Sequence, residues 1–104
     1  MREKPYDVVV VGSGVNGMVA ASLCRARGLE VLLIEGRESL GGGVRTEQIT
    51  LPGFHHDVCS AVHPFGRSSP VLVAMELARH GLEWVDPELP LAHPLLDQPA
   101  VLLS

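Results

Sequence analysis

The stretch "DVVVVGSGVNG", Asp7 to Gly17, sets four consecutive valines in front of three glycines spaced G-x-G-x-x-G. Tyr6 to Val11 is apolar on both faces and rich in β-branched residues, the pattern of a central parallel strand covered on two sides. From Val15 to Arg27, "VNGMVAASLCRAR" reads as a helix, with Gly17, Ala20, Ala21 and Ser22 small enough to lie close to a sheet. Arg25 and Arg27 suit the negative end of the helix dipole, and Gly28 suits the left-handed position that ends a helix. "EVLLIE", Glu30 to Glu35, reads as a second buried strand. Strand, glycine turn, helix and strand in about thirty residues make a βαβ unit with a right-handed crossover. The fold class is therefore α/β.

The three glycines have separate duties in such a unit. Gly12 permits the tight turn off the strand, Gly14 leaves room for a pyrophosphate against the backbone, and Gly17 lets helix and strand pack closely. The helix N-terminus presents unpaired N–H groups and a partial positive charge to phosphates. Glu35 ends the second strand, 23 positions after Gly12, where a carboxylate can accept hydrogen bonds from the two adenosine ribose hydroxyls. The same carboxylate repels a 2′-phosphate, which argues against NADP. An ADP half alone does not separate FAD from NAD.

Composition narrows the remaining classes. With 46% hydrophobic and 19% charged residues the chain is globular in type, and its 104 residues suffice for one core, filled by aliphatic side chains because only four residues are aromatic. A net charge of −4, with scattered basic residues, gives no electrostatic reason to bind nucleic acid or anionic lipid. Cys24 and Cys59 have no CxxC spacing and read as reduced thiols of a cytoplasmic protein. The N-terminus starts basic and continues apolar as a signal peptide does, but Asp7 and the glycines interrupt that pattern. No apolar run reaches the roughly 18 to 20 residues of a membrane span, leaving peripheral membrane contact as the only membrane association the sequence allows.

Beyond the second strand, "EGRESLGGGVRT" places a second glycine cluster, Gly41 to Gly43, after a spacer of five residues from Glu35, followed by Arg45. Such a loop can approach the dinucleotide beyond its ADP part, with Arg37 or Arg45 offsetting pyrophosphate charge. Spacing alone fits a flexible surface loop with solvated arginines equally well.

The pattern G-x-G-x-x-G, then Glu, five residues and G-G-x-x-R-T resembles the FAD-dependent oxidoreductases related to phytoene desaturases and flavin amine oxidases. "GSGVNGMVAA" and "LPGFHHDVCSAVHP" are similar to segments of the branch that includes the pyridine nucleotide-disulphide oxidoreductase domain-containing protein 2. The likeness runs from Tyr6 to the end of the chain. It implies a Rossmann-like FAD/NAD(P)-binding fold of the glutathione-reductase-like type, with FAD as cofactor. Carried over by position, Gly12, Gly14 and Gly17, with the backbone of Ser13 and Val15, would hold the pyrophosphate. Glu35 would bind the adenosine ribose with Arg37 near it, and Gly41, Gly42 and Arg45 would line the FAD further along. Many relatives carry an arginine directly after the doublet, where this chain has Gly43; Arg45 is the preferred cofactor contact.

In the second half, Pro52-Gly53 between two short β-like runs reads as a hairpin. His55, His56, Cys59 and His63 fall within nine residues but fit no standard zinc spacing, so no metal is assigned. These histidines read either as polar loop residues or as groups facing a flavin or substrate channel. "SSPVLVAMELARHG" reads as a second helix, capped by Ser69, with Pro70 in its first turn and Gly81 as its stop. Val71, Ala74, Met75 and Ala78 form its apolar face, widened by Leu72, Val73 and Leu77, so a further surface must cover it. "LEWVDP" reads as a short strand, and "LPLAHPLLDQPAVLLS" as a hairpin around Asp97-Gln98-Pro99.

The expectation is one FAD/NAD(P)-binding domain over 1–104. Residues 1–46 carry the dinucleotide βαβ unit and glycine doublet, and 47–104 begin an incomplete remainder with a β-hairpin and helix extension. Family members run to several hundred residues, so no catalytic residue is assigned, and substrate, electron acceptor and oligomeric state are left open. Two central strands would leave sheet edges unpaired, which points to self-association, a partner polypeptide, or a fragment of a longer protein. An NAD-binding module and a truncated non-catalytic fragment are the alternatives to an FAD-dependent oxidoreductase.

Overall fold

A computed structural model describes residues 5–103. The chain divides into two compact units, Met1–Ala74 and Met75–Ser104.

The first unit opens with the βαβ element. Strand β1 (Val8–Val11) leads into helix α1 (Val15–Ala26), which returns to strand β2 (Val31–Ile34). The strands are parallel, with Val8 opposite Val31 and Val11 opposite Ile34. Asp7 and Glu30 clamp the start of this ladder. The Asp7 N–H donates to the Glu30 carbonyl oxygen, and the Glu30 N–H donates to Asp7 Oδ2, each at 2.8 Å.

Helix α1 ends as its glycine dictates. Gly28 has φ +85°, the Gly28 N–H donates to the Arg25 carbonyl and the Leu29 N–H to that of Cys24. These two bonds form a Schellman motif, which satisfies carbonyls the helix would otherwise leave unpaired. At the other end Gly17 touches the strand. An alanine Cβ there would overlap the Gly12 carbonyl oxygen and stand 3.5 Å from Val10 Cγ1. Of the small residues expected against the sheet, Gly17 and Ala21 lie partly covered, whereas Ala20 and Ser22 are exposed. A spacing of four residues keeps Gly17 and Ala21 on one helix face, with Ala20 at its edge and Ser22 turned away from it.

The expected aliphatic core does not form: among the described residues no hydrophobic side chain is buried. One helix covers one face of a two-stranded sheet, so the alternate residues have nothing against them. Val11 is 82% exposed, Val9 54% and Ile34 44%. An open groove of 530 Å³ also runs between α1 and β2, lined by Ala21, Ala26, Val31 and Leu33 with Ser22 and Arg25. The unpaired edges and bare apolar surface expected for two isolated strands are thus present.

After β2, a 3₁₀ turn (Gly42–Val44) leads to strand β3 (Thr46–Glu47), paired antiparallel with β4 (His56–Asp57). Pairing continues beyond the Thr46–Asp57 end of this short ladder. The Val58 N–H donates to the Arg45 carbonyl and the Ser60 N–H to that of Gly43, both at 3.0 Å. The hairpin around Pro52-Gly53 is therefore present, with Gly53 at φ +88°.

The single helix expected over 69–81 does not form. Residues Pro64–Ser68 make a short helix α2 and Pro70–Ala74 a short helix α3; the chain then breaks at Glu76, whose φ is +48°. Glu76 is the only described non-glycine residue with positive φ. A 3₁₀ turn over Leu77–His80 follows in the second unit, and Gly81 stops it at φ +93°. Short helices depend on packing of an apolar face, and here Val73 is 61% exposed.

Residues of "LEWVDP" form no strand either. A strand needs a neighbour for its backbone groups, and this segment has no ladder. The expected terminal hairpin is present, with β5 (Leu91–His93) antiparallel to β6 (Val101–Leu103) and Leu91 opposite Leu103. No described helix is long and apolar enough to cross a membrane.

Candidate nucleotide-binding site

The site is built where β1 turns into α1. Gly12 takes φ +94° while its N–H extends the ladder to the Ile34 carbonyl at 2.7 Å. Gly14 follows as the N-cap, with φ −63°, ψ 169° and no side-chain cap. The first turn carries no acidic residue, so no side chain of the turn itself competes for its N–H groups, which helix geometry leaves unpaired. A Cβ on Gly14 would meet nothing within 4 Å. The helix N-terminus and the open space above Gly14 together make a cradle that fits a phosphate group.

Ser13 sits between these glycines and is completely buried. Its N–H donates to Glu35 Oε2 at 2.8 Å and its hydroxyl to the same oxygen at 2.6 Å. The other carboxylate oxygen, Oε1, accepts the Arg37 N–H at 3.0 Å. These donors, the Ser13 hydroxyl first, lower the Glu35 pKa from 4.5 to about 2. Glu35 is thus held as a fixed carboxylate at the end of β2, with spare acceptor capacity on Oε1.

The second glycine cluster packs onto the first rather than waving in solvent. The Gly41 N–H donates to the Ser13 carbonyl oxygen at 3.1 Å, with Ser13 Oγ at 3.3 Å, and Gly41 forms a parallel bridge with Gly14. Gly41 has φ +110° and Gly42 φ +58°. A Cβ on Gly42 would come to 2.9 Å of Gly14 Cα, so the doublet is required both by backbone conformation and by contact.

Arg45 fastens this loop from behind. Its Nη1 donates to the Gly42 carbonyl at 2.9 Å and its Nε to Glu47 Oε1 at 2.7 Å, with only 10% of the side chain exposed. Ser39 Oγ donates to the same Glu47 oxygen at 2.9 Å. Arg45 first and then Ser39 hold the Glu47 carboxyl below its usual pKa. The Arg37 side chain is exposed; its backbone N–H, not its guanidinium, contacts Glu35, and its charge acts on Glu47.

Gly12, Ser13, Gly14, Gly17, Glu35, Gly41 and Gly42 are therefore brought together, with Val15 opening the helix. Two features of the site go beyond the motif: the Ser13 hydroxyl, whose one sequence signal is a hydroxyl residue between the first two glycines, and Glu47 and Ser39 as anchors of Arg45. The histidines make local polar pairs. His56 Nε2 lies 2.6 Å from Thr50 Oγ1, His55 Nε2 lies 3.3 Å from Gln48 Nε2, and His63 Nδ1 lies 3.3 Å from Ser60 Oγ. Among the described residues no group of three His, Cys, Asp or Glu side chains is placed to hold a metal. Cys24 and Cys59 are free thiols.

Residues 10–80 match the family model described as an NAD(P)-binding Rossmann-like domain. The chain is 39% identical over 83 residues to the mouse pyridine nucleotide-disulfide oxidoreductase domain-containing protein 2, covering 79% of this chain but 14% of that protein. It is 48% identical over 46 residues to pig flavin-containing amine oxidase B, covering 41% of this chain and 9% of that one. It is 49% identical over 45 residues to a digeranylgeranylglycerophospholipid reductase of Methanosarcina mazei, covering 43% and 11%. The chain thus spans about one seventh of the length of the mouse relative, matching the N-terminal portion expected from its motifs. With the glycine turn, the capless helix end and the strand-terminal carboxylate all inside the matched span, this chain belongs to the NAD(P)-binding Rossmann-like domain family.

Proposed function

We propose that this chain is the FAD-binding N-terminal portion of an oxidoreductase, and that residues 1–104 belong to one FAD/NAD(P)-binding domain. The observation that carries the reading is the seating of Gly41 and Gly42 directly on Ser13 and Gly14. An ADP half-site needs only the first glycine turn and Glu35. A second glycine loop docked on that turn extends the cradle toward the far half of a dinucleotide, and flavin-containing amine oxidase B is among the similar proteins.

In this reading the N–H groups at the start of α1, Val15 among them, hold the pyrophosphate; the backbone of Ser13, expected to join them, instead gives its N–H to Glu35 Oε2 and shapes the turn. Glu35 accepts from the ribose and disfavours a 2′-phosphate, while Arg37 supplies positive charge beside it. Arg45 contributes to the flavin side of the site through the doublet it fastens. When bound, FAD supplies the redox chemistry, as acceptor of a hydride from an apolar or amine substrate. The protein is placed in the cytoplasm, with the bare β1–β2 face covered by further polypeptide or by a second copy.

A second reading, an NAD-binding module, is favoured by the description of the matching family model. Parallel calorimetric titrations with FAD and NAD, followed by desalting and a visible spectrum, separate the two. The expected result is retained FAD with a perturbed flavin band, and loss of binding in Gly14→Ala. Equal FAD binding by that variant overturns the site, and binding of NAD without FAD selects the second reading.

A further inference from the structure

Ser13 is bonded to two other segments at once. Its N–H and hydroxyl converge on Oε2 of Glu35, 22 residues away, at 2.8 and 2.6 Å. Its carbonyl and hydroxyl oxygens receive the N–H of Gly41, 28 residues away, at 3.1 and 3.3 Å. The Ser13 side chain is fully buried, and its bond with Gly41 is shielded from solvent, while the carboxylate it holds stays half-exposed and open to a ligand. The consequence for Glu35 is directional. Oε2 is taken by the two Ser13 donors, whereas Oε1 accepts the Arg37 N–H, with the Gly36 N–H also acting on the carboxylate, so an incoming hydroxyl is steered to Oε1.

We infer that the Ser13 hydroxyl is a positioning residue of the nucleotide site, which aims Glu35 at a free ribose 2′,3′-diol and locks the second glycine loop to that aim. The inference rests on the reading of Glu35 as the ribose acceptor. It adds a specificity determinant within the glycine turn, at a position whose backbone groups are already engaged by Glu35 and Gly41. Because Ser13 also accepts from Gly41, ribose recognition and seating of the glycine doublet share one hydroxyl.

The probe is ADP against 2′-deoxy-ADP on the full chain, since both FAD and NAD contain the ADP half. A hydrogen bond to a charged acceptor makes the intact chain prefer ADP by about tenfold or more. Ser13→Ala is expected to reduce that preference severalfold toward the value in Glu35→Ala, and the double variant to match Glu35→Ala. A merely structural role would weaken both ligands equally and leave their ratio unchanged, which overturns the proposal. Ser13→Thr and Ser13→Val have nearly equal volume and differ in the hydroxyl; Thr is expected to retain the preference and Val to lose it, and equal ratios also overturn it.

If Glu35→Ala itself leaves the preference intact, the ribose reading of Glu35 fails. If Glu35→Ala abolishes the preference and Ser13→Ala does not, only the role of Ser13 fails. The unmutated chain supplies a check independent of variant folding: by carboxyl NMR, Glu35 is expected to titrate near 2. Titration at the ordinary 4.5 would show that Ser13 does not hold it.

Discussion

Replacing Gly17 and Gly14 by alanine should separate the structural from the ligand-binding role of the glycine motif. At Gly17 the new Cβ would overlap the Gly12 carbonyl oxygen and lie 3.1 Å from its carbon. Both are backbone atoms of a positive-φ turn, so neither yields by a rotamer change. Overpacking typically costs about 1 to 3 kcal/mol, and a rigid backbone neighbour puts this case at the upper end. Removing a glycine from a helix interior returns about 1 kcal/mol. The net loss is therefore about 2 kcal/mol, a fall in Tm of roughly 8 to 16 °C for a chain of this size. At Gly14 the Cβ meets nothing within 4 Å, and φ −63° with ψ 169° is ordinary extended backbone. Gly14→Ala should melt within a few degrees of the parent yet lose nucleotide affinity, because its methyl group enters the phosphate cradle. Thermal unfolding followed at 222 nm, with an FAD titration on each folded variant, checks both halves. A Gly17→Ala chain melting at or above the parent would refute the packing argument, and full affinity in Gly14→Ala would refute the cradle.

Three further outcomes follow from particular contacts. Because the folded Glu35 carboxyl lies below its unfolded value, its stabilising contribution is complete above about pH 4.5 and is lost as pH falls from there toward 2; Glu35→Gln should remove that part of the acid-unfolding curve measured by circular dichroism. Gly28→Ala forces a Cβ into the left-handed region at φ +85° and should destabilise by about 1 kcal/mol in urea titrations. Arg45→Lys cannot keep both the Gly42 carbonyl and the Glu47 carboxylate with the geometry of a guanidinium, so amide exchange at Gly41 and Val44 should quicken while exchange in α1 is unchanged.

The parts legible in the sequence were those specified by neighbours along the chain. The valine run, the glycine turn, the arginines and Gly28 at the end of α1, and the Pro52-Gly53 turn each carry their own backbone chemistry. The segment from Pro70 to Gly81 was not legible in the same way. Its 3.6-residue apolar period is real, but a helix of that composition needs a surface to bury against, and the backbone instead turns left-handed at Glu76. "LEWVDP" has strand-like residues and no ladder partner. A core was inferred from composition, although two strands and one helix can cover only one sheet face. In the site, glycine positions were readable because each is a conformational or contact requirement. The hydroxyl of Ser13 was not, since its partners stand 22 and 28 residues away, and neither was the inward turn of the Arg45 side chain toward Gly42 and Glu47.

The short sequence separations around Ser13 bear on the order of events during synthesis. The β1–β2 register, the Ser13–Glu35 bonds and the Gly41 bridge all close loops of fewer than 30 residues, whose closure entropies differ only slightly. Once the first 46 residues have left the ribosome, every partner in the cradle is available, and low-separation contacts form quickly. At roughly 5 to 20 residues per second, residues 47–104 arrive several seconds later. Throughout that interval, and after it, Val9, Val11 and Ile34 face water on an assembled sheet. The chain therefore has a nucleotide cradle early and an adhesive surface that residues 47–104 do not cover, which gives chaperones a substrate and bound nucleotide an opportunity to hold the strands together.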